Sequence, residues 1–421
     1  MKTLRFFTAL ILSAAVLSCQ KSTVSEVPVP QPSTEDVDLV DSNLYSAEDF
    51  AALFEGIEVN PQTKCAALSY EITRLTYQSV NGHGEPVTLS MKLAYPEGIL
   101  TKYHDPKFIV LDNHPTICSQ AESPYEKNPI ALAKALEDAL VVCPDYEGFG
   151  VSVGNDHPYL CLDVQARQST DAVLAAIDYI NAKRGIKMKG GYYLENYGYS
   201  QGGGVALAVQ KYIETSLSAE DKAKLNLRKT ACGGGCYSMP LLFDLYFEQD
   251  DCVYPAILPL TLLGFKTAYP EIMDGIELSD ILREEFLATG IIDRIRSKQY
   301  TIDELNEFIE SAYGTKLYSQ MVVPEYFDKD SAIRQAVDAC LAMGDATTGW
   351  LPSAKVTLLH SAQDEIVPKE LAIHAYDSLK DGNVSEVKWA LLSPAHRVTG
   401  AFFFMEEMGL NIIPGLIGQL F

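Results

Sequence analysis

Short apolar runs alternate with segments of helical periodicity along most of this sequence, and no other feature constrains the fold as strongly. The apolar runs cover residues 107–112, 139–144, 191–200, 229–235, 355–360 and 386–392. Strands that alternate with helices form a parallel sheet, and strands buried on both faces read as continuous apolar runs. Two alternating segments, 68–80 and 87–96, flank the turn sequence NGHGEP, so a hairpin precedes these runs. The sequence therefore predicts an α/β fold with a mostly parallel central sheet and flanking helices.

The region from 240 to about 350 interrupts this alternation, because it contains no strand pattern between two expected strands. Two amphipathic segments in it, starting at Ser279 and Thr301, begin with residues that cap helices well. An insertion of this size at one edge of a sheet predicts a helical cap. The expected domains are a core of residues 45–239 and 351–421, and a cap of residues 240–350.

The first 18 residues are typical of a secretory signal peptide. The basic segment MKTLR precedes an apolar run of about a dozen residues, which is too short to span a bilayer. The run ends in VLSC, which resembles the lipobox of bacterial lipoproteins and implies cleavage before Cys19 and its lipidation. An ordinary signal peptide with an incidental cysteine is the alternative. We expect a flexible tether over residues 19–44 and an anchor in the bacterial cell envelope, at the outer membrane.

Charge and cysteine spacing disfavour several classes of partner. The formal net charge is −23 over 421 residues, which disfavours nucleic acid and anionic membrane surfaces. We therefore expect membrane contact only through the lipid anchor. Cys232 and Cys236 have the wrong spacing for a CxxC pair, so we expect no metal site. The eight cysteines beyond Cys19 are an even number, which permits disulfides outside the cytoplasm.

The pentapeptide Gly198-Tyr199-Ser200-Gln201-Gly202 lies between an expected strand and an expected helix. In a tight strand-to-helix turn the central residue adopts a strained backbone, and glycines on either side remove side chains that would clash. The turn exposes the Ser200 hydroxyl, and the positive end of the following helix favours an anion that develops there. The pattern therefore predicts that Ser200 is a nucleophile.

Two later segments supply the groups that a serine nucleophile needs. Asp364 follows the expected strand 355–360 on a loop, and His396 precedes the last expected helix. Because a serine hydroxyl is a weak nucleophile, His396 would take its proton while Asp364 fixes the imidazole tautomer. The chain order of serine, aspartate and histidine is that of α/β-hydrolases. Glu365, next to Asp364, is the alternative acid.

The oxyanion of a tetrahedral intermediate needs two backbone N–H donors. One is expected from Gln201, directly after the nucleophile. The other is expected from the loop LDNHPTICSQ, where Pro115 has no N–H and Thr116 is the predicted donor. We expect His114 to pack and hydrogen-bond within this loop. The histidines expected to be structural or solvated are His83, His360 and His374.

Three segments carry a family resemblance: PDYEGFG, YGYSQGGGVALA and ACGGG. Together they resemble the secretory lipase family of α/β-hydrolases, over about residues 66–410. The resemblance implies carboxylic ester hydrolysis through an acyl-enzyme by the serine, aspartate and histidine named above, without metal or cofactor. The family also carries a helical cap before the acid. Pro115 stands where glycine is common, and the cap sequence cannot be matched to that of the family, so the preferred acyl length stays open.

Three functions are compatible with these residues. The first is an esterase or lipase acting on a small-molecule ester, in which the apolar cap segment 254–265 binds an acyl or aryl group or forms the cap's own core. The second is a cell-envelope serine peptidase, in which the acidic run 248–251 would hold a substrate amine. The third is a catalytically inactive binding lipoprotein. The sequence does not predict the oligomeric state.

Overall fold

The computed structural model describes residues 37–413 apart from positions 61, 186, 188–191 and 393. These residues belong to one unit of the fold, Pro32–Phe421. The predicted signal peptide, Cys19 and the tether up to residue 36 lie outside the described residues, so they stay predictions.

The strands are β1 (Val37–Ser46), β2 (Ile57–Val59), β3 (Ser69–Val80), β4 (Pro86–Pro96), β5 (Phe108–Asn113), β6 (Ala139–Pro144), β7 (Tyr192–Tyr199), β8 (Leu225–Gly233), β9 (Lys355–His360), β10 (Lys388–Trp389) and β11 (Leu410–Ile412). Nine of them form one sheet in the spatial order β1-β3-β4-β6-β5-β7-β8-β9-β10. In this spatial order the six strands β6, β5, β7, β8, β9 and β10 are parallel to one another, and β1, β3 and β4 add an antiparallel edge. β2 pairs separately with β11.

The α-helices of the described residues are α1 (Ala47–Ala52), α2 (Leu162–Arg184), α3 (Gln201–Thr215), α4 (Ala219–Lys224), α5 (Met239–Gln249), α6 (Ile257–Ala268), α7 (Leu278–Ile281), α8 (Glu284–Leu287), α9 (Ile291–Ser297), α10 (Ile302–Tyr313), α11 (Tyr318–Met321), α12 (Ala332–Met343), α13 (Glu370–Leu379) and α14 (His396–Glu406). Short 3-10 helices span Glu97–Leu100, Gln120–Glu122, Ile130–Glu137, Gly150–Ser152 and Pro324–Phe327. None of these described helices combines the length and the apolar composition that a membrane-spanning segment needs.

Two hydrophobic cores cover the two faces of the sheet. In β6, Leu140 and Val142 belong to the larger core with α2 and α3, whereas Val141 and Cys143 belong to the second core with α14. Burial on both faces explains why the parallel strands read as continuous apolar runs. This arrangement confirms the predicted α/β fold with a mostly parallel sheet.

The chain between β8 and β9 is helical, as predicted, and carries α5 to α12. The prediction of one helix starting at Ser279 is wrong. The segment forms α7, α8 and α9, because Leu282 makes an isolated antiparallel bridge with Val322 and Gly290 adopts φ +80°. The prediction that Thr301 is the N-cap residue of a helix is confirmed. Its hydroxyl accepts a hydrogen bond from the backbone N–H of Glu304 at the start of α10.

The prediction of a flexible tether is wrong for residues 37–44, which lie in the edge strand β1. β1 pairs antiparallel with β3 along its length, yet Leu39 and Leu44 are exposed. Backbone pairing with β3 and the ion pair of Asp41 with Arg74 hold this strand. Its apolar residues do not alternate regularly, so its sequence carries no strand pattern. The expected strand over 386–392 is also reduced, to the two residues of β10.

Candidate active site

The loops that follow the parallel strands meet at one edge of the sheet. Ser200 follows β7, Thr116 follows β5 by three residues, Asp364 follows β9, and His396 begins α14 beyond β10. The carboxyl ends of parallel strands share an edge, which is where ligand sites in open α/β sheets form. Four residues from distant parts of the chain therefore lie near one another.

Ser200 occupies a strained turn between β7 and α3. Its backbone has φ 58° and ψ −123°, a combination that residues other than glycine rarely adopt. A Cβ atom on Gly198 would lie 1.9 Å from the carbonyl oxygen of Gly202, and one on Gly202 would lie 1.9 Å from that of Asn113. Only glycine fits at either position, which explains the glycines around the serine.

Gly203 and Gly204 allow α3 to pack closely against its neighbours. A Cβ atom on Gly203 would lie 2.6 Å from the carbonyl oxygen of Gly233 in β8, and one on Gly204 would lie 2.6 Å from that of Cys236. Glycine costs a helix about 1 kcal/mol relative to alanine. Close packing of the first turn offsets this cost.

His396 joins Ser200 to Asp364 through its two ring nitrogens. Nε2 lies 2.9 Å from Oγ of Ser200, and Nδ1 lies 2.7 Å from Oδ2 of Asp364. Because an ionised carboxylate only accepts, Nδ1 carries the proton and Nε2 is left to accept from the serine hydroxyl. The structure thus brings the three predicted residues together with the polarity that proton removal from Ser200 requires.

The environment of Asp364 keeps it ionised. Burial raises the pKa of this carboxyl, but the hydrogen bond and charge of His396, with the N–H of Val367, hold the pKa below its usual value. Its Oδ1 accepts from the N–H groups of Ile366 at 3.0 Å and Val367 at 2.8 Å. The buried His360 donates from Nε2 to the Val367 carbonyl at 3.0 Å, which supports the same loop.

Glu365, the alternative acid, contacts the backbone of His396 rather than its ring. The N–H of His396 donates to Oε2 of Glu365 at 3.0 Å, at the positive end of α14. The hydroxyl of Tyr199 donates to the His396 carbonyl at 2.5 Å. Glu365 and Tyr199 therefore hold the backbone on which the imidazole is carried.

The predicted oxyanion donors lie next to the serine. Gln201 begins α3, and Thr116 lines the same cavity as Ser200. Within the part of the chain that the structure describes, neither backbone N–H donates to a protein acceptor. His114 is neutral, because burial lowers its pKa to about 4, and its Nδ1 donates to the Pro115 carbonyl at 2.7 Å. His114 thus packs and hydrogen-bonds within its loop, as expected.

The cavity in front of Ser200 encloses about 960 Å³, including the space at its open mouth. Its cap side is formed by Tyr246, Tyr254, Ile257, Ile302 and Asp303. At the mouth, Nη2 of Arg397 lies 2.5 Å from Oδ1 of Asp303 and 2.7 Å from the hydroxyl of Tyr254. Arg397, which directly follows His396, therefore ties the core to the cap beside the reactive serine.

Comparison with known proteins identifies the family. Residues 123–403, more than half of the chain, match the sequence model of the secretory lipase family. The chain belongs to the secretory lipase family. This confirms the family predicted from the PDYEGFG, YGYSQGGG and ACGGG segments.

One sequence relative and two solved structures are similar to this secretory lipase family member. A secreted triacylglycerol lipase, LIP4, of Malassezia globosa is 24% identical over 259 residues, which cover 59% of this chain and 49% of that protein. This chain therefore spans about half the length of that relative. A putative hydrolase from Legionella pneumophila has a TM-score of 0.69 at 17% identity, covering 91% of this chain and 98% of that one. The rice cell wall degrading esterase LipA from Xanthomonas oryzae has a TM-score of 0.66 at 21% identity, covering 88% and 95%.

The helical cap of this family member contains the apolar and the acidic segments that the sequence singled out, and only the apolar one reaches the cavity. Of the apolar segment 254–265, Tyr254 and Ile257 line the cavity, while most of α6 is buried in the larger core. The acidic run 248–251 does not line the cavity. In that run, Asp250 accepts from both the N–H and the hydroxyl of Ser319. Asp250 thus pairs within the cap.

Histidine, cysteine and acidic side chains do not cluster as a metal site in the described residues. Seven of the eight described cysteines are buried and all eight are free thiols, including Cys232 and Cys236. The rings of His83 and His374, which were expected to be solvated or structural, each make a hydrogen bond outside the active site. His83 bonds to the carbonyl of Thr267 at 2.8 Å, and His374 to the hydroxyl of Thr347 at 3.1 Å.

The loop PDYEGFG packs below the active site. Tyr146 and Phe149 are fully buried, and the Tyr146 hydroxyl donates to the His114 carbonyl at 3.2 Å. Neither aromatic residue lines the cavity of Ser200, so they pack the loop. Both rings contact His157, a residue that sequence reasoning missed because no local pattern marks it. Arg397 was also missed, although its place beside the predicted His396 was a usable signal.

Asp112 is a buried carboxyl whose ionisation affects stability. Burial raises its pKa to about 7, and its one hydrogen-bond contact among the described residues is the Cys143 thiol at 3.9 Å. Between about pH 4 and pH 7 the folded protein holds a proton that the unfolded chain has released, so stability falls as the pH rises through this window. About two pH units of this window lie between pH 5 and pH 8, so Asp112→Asn is expected to reduce the fall between these two pH values by about 3 kcal/mol in the free energy of unfolding.

Urea unfolding at pH 5 and pH 8 measures this effect. Part of the fall persists in the variant, because burial also raises the pKa of Asp145 to about 7. The exposed Asp381→Asn serves as the control and should keep the wild-type difference between the two pH values. An Asp112→Asn protein with the same difference as wild type contradicts the assignment.

Proposed function

We propose that this chain is a carboxylic ester hydrolase in which Ser200 is the nucleophile, His396 the general base and Asp364 the residue that orients it. The observation that carries the proposal is the hydrogen-bonded series Ser200–His396–Asp364 on a strained strand-to-helix turn, facing a cavity. Membership of the secretory lipase family supports the same reaction.

Acylation begins when Nε2 of His396 accepts the Ser200 proton as Oγ attacks the ester carbonyl. The N–H groups of Gln201 and Thr116 donate to the oxyanion of the tetrahedral intermediate, and the positive end of α3 adds to this stabilisation. As the intermediate collapses, the imidazolium of His396 returns its proton to the alcohol oxygen. The alcohol leaves, and the acyl group stays on Ser200.

Deacylation repeats these steps with water as the nucleophile. His396 accepts a proton from the water that attacks the acyl carbonyl, and the same two N–H groups hold the second oxyanion. Ser200 then leaves with the proton from His396. Asp364 stays ionised throughout and stabilises the imidazolium in both halves of the reaction.

The cavity supports a substrate with an apolar acyl group. Tyr246, Ile257 and Ile366 line it and are buried, whereas Arg397 and Asp303 line it with partly exposed side chains, at its mouth. Each methylene that enters such a cavity adds about 0.8 kcal/mol of binding. The gain stops when the acyl chain reaches the charged mouth. The names of the similar proteins, triacylglycerol lipase and esterase, support the same substrate class.

A series of p-nitrophenyl esters from acetyl to palmitoyl tests the substrate class. We expect kcat/KM to rise with acyl length to an optimum at roughly four to eight carbons and then to fall, because longer chains exceed a cavity of this size. Ser200→Ala is the control for spontaneous hydrolysis. Absence of turnover on every ester, together with cleavage of aminoacyl amides, would replace this proposal by the peptidase alternative.

We also propose that the mature protein begins at Cys19 and is lipid-anchored in the cell envelope. The signal-peptide pattern and the secretory character of the family support an extracytoplasmic location. Cys19→Ser is expected to move the protein from the membrane fraction to the soluble fraction of cells that express it. A Cys19→Ser protein that still sediments with membranes contradicts the anchor.

A further inference from the structure

The side chain of Gln201 contacts a buried histidine that the proposed reaction does not use. Nε2 of the Gln201 amide lies 3.2 Å from Nε2 of His157, and Nδ1 of His157 lies 2.6 Å from the backbone carbonyl oxygen of Glu147. Both side-chain partners are removed from solvent, with 1% exposure for Gln201 and 4% for His157. The contact lies directly behind the predicted oxyanion donor.

The hydrogen-bond partners define where the protons are. The Glu147 carbonyl can only accept, so Nδ1 of His157 carries the proton. Burial, with the charge of Lys298, keeps the pKa of His157 well below its usual value, so the ring is neutral and Nε2 has a free lone pair. Gln201 must therefore point its NH₂ group at the ring and donate to Nε2.

His157 itself is held in place from several sides. Tyr146 is stacked parallel to its ring with centroids 6.0 Å apart, and Phe149 and Tyr159 contact it at 5.0 and 5.9 Å. A Cβ atom on Gly148 would lie 2.7 Å from the His157 Cα, so the loop packs tightly against its backbone. A ring fixed in this way provides a rigid acceptor for the Gln201 amide.

Close backbone packing holds the first turn of α3, but few side chains of this turn can add a hydrogen bond. Ser200, its N-cap residue, makes no side-chain capping hydrogen bond. The three residues after Gln201 are Gly202, Gly203 and Gly204, which have no side chains. The side chain of Gln201 is therefore the one that holds this turn by a hydrogen bond, and its partner is the ring of His157.

We propose that His157 is a positioning residue for the oxyanion hole: it accepts from the Gln201 amide and so holds the Gln201 backbone N–H toward the developing oxyanion. This rests on the proposed function. In this proposal the PDYEGFG loop supports His157, because the loop supplies the carbonyl of Glu147 and two of the rings around His157. A misplaced N–H weakens a hydrogen bond made mainly in the transition state, so the loss falls on kcat rather than on KM.

Two substitutions of His157 separate its two hydrogen bonds. In His157→Asn the shorter amide can replace Nδ1 and still donate to Glu147, but it offers no acceptor to Gln201. In His157→Gln the longer amide can place an oxygen where Nε2 was and accept from Gln201. We expect His157→Asn to lower kcat about 10- to 100-fold with KM changed less than about threefold. His157→Gln should recover a substantial part of that loss.

The affinity for a tetrahedral mimic gives a readout that a purely structural role would not move. An alkylboronic acid that adds to Ser200 should bind His157→Asn more weakly by the same factor that kcat/KM has lost. Rates are normalised to the fraction of protein that reacts with a fluorophosphonate probe, so that misfolded protein does not contribute. Gln201→Met, which keeps the backbone N–H, provides the same test without changing His157.

The single and double variants complete the experiment. Because His157 acts through Gln201, His157→Asn, Gln201→Met and the double variant should lose activity to a similar extent. Additive losses, or a His157→Asn protein with wild-type kcat and boronate affinity, would overturn the assignment of His157. If wild type hydrolyses no ester and reacts with no probe, the proposed function fails instead, so the two outcomes are distinguishable.

Discussion

Ser200→Ala is expected to lower kcat for p-nitrophenyl ester hydrolysis by about 10⁵-fold while KM changes little. The Ser200 hydroxyl is the proposed nucleophile, and Nε2 of His396 lies 2.9 Å from it. Removal of the hydroxyl leaves the oxyanion donors and the cavity in place. The residual rate above the uncatalysed reaction therefore comes from binding and electrostatics alone.

The control for this prediction is Ser216→Ala, at the other end of the same helix. Ser216 lies outside the cavity, so its variant should hydrolyse the same esters at the wild-type rate. Both proteins are compared at a fixed concentration of folded enzyme. A Ser200→Ala protein that retains more than about a hundredth of the wild-type kcat would contradict the role of Ser200.

Asp364→Asn is expected to lower kcat by about 10⁴-fold, because the amide reverses the tautomer of His396. An asparagine NH₂ group would donate to Nδ1, so the ring proton would move to Nε2. That nitrogen could then no longer accept from Ser200. The protein should still fold, since the side chain keeps an oxygen for the N–H groups of Ile366 and Val367.

Glu365→Gln is the matched comparison, because it removes one negative charge from the neighbouring residue. Its amide oxygen can still accept from the His396 N–H, which is its contact in the structure. We expect its loss in kcat to stay below about tenfold. Equal losses in Asp364→Asn and Glu365→Gln would show that the acid has been misassigned.

Several features were predictable because each rests on a local rule. The parallel strands could be located from their apolar runs, since both faces of the sheet are covered. The turn at Ser200 could be identified from the glycines at 198 and 202, because a side chain at Gly198 would meet the turn itself and one at Gly202 would meet Asn113 of β5. Asp364 and His396 could be placed because each follows a strand that the sequence marks. The fold then brings the two side chains within hydrogen-bond distance of each other.

Other features depend on contacts that no local pattern encodes. Strand β1 forms by backbone pairing with β3, so its composition resembles that of a tether. The interruption between α7 and α8 comes from the bridge between Leu282 and Val322, 40 residues apart in sequence. The contact of His157 with Gln201 joins the loop before α2 to the start of α3, two segments that are distant in sequence. Contacts between residues so far apart in sequence can be identified only in the three-dimensional structure.

Labelling with a fluorophosphonate probe, followed by mass spectrometry of the peptides, tests the central claim most directly. We expect one adduct per chain, located on Ser200, formed at a rate that falls when an ester substrate is present. Ser200→Ala should form no adduct, and Asp364→Asn should form it far more slowly. An adduct on another residue, or no adduct on folded wild-type protein, would contradict the assignment of Ser200 as the nucleophile.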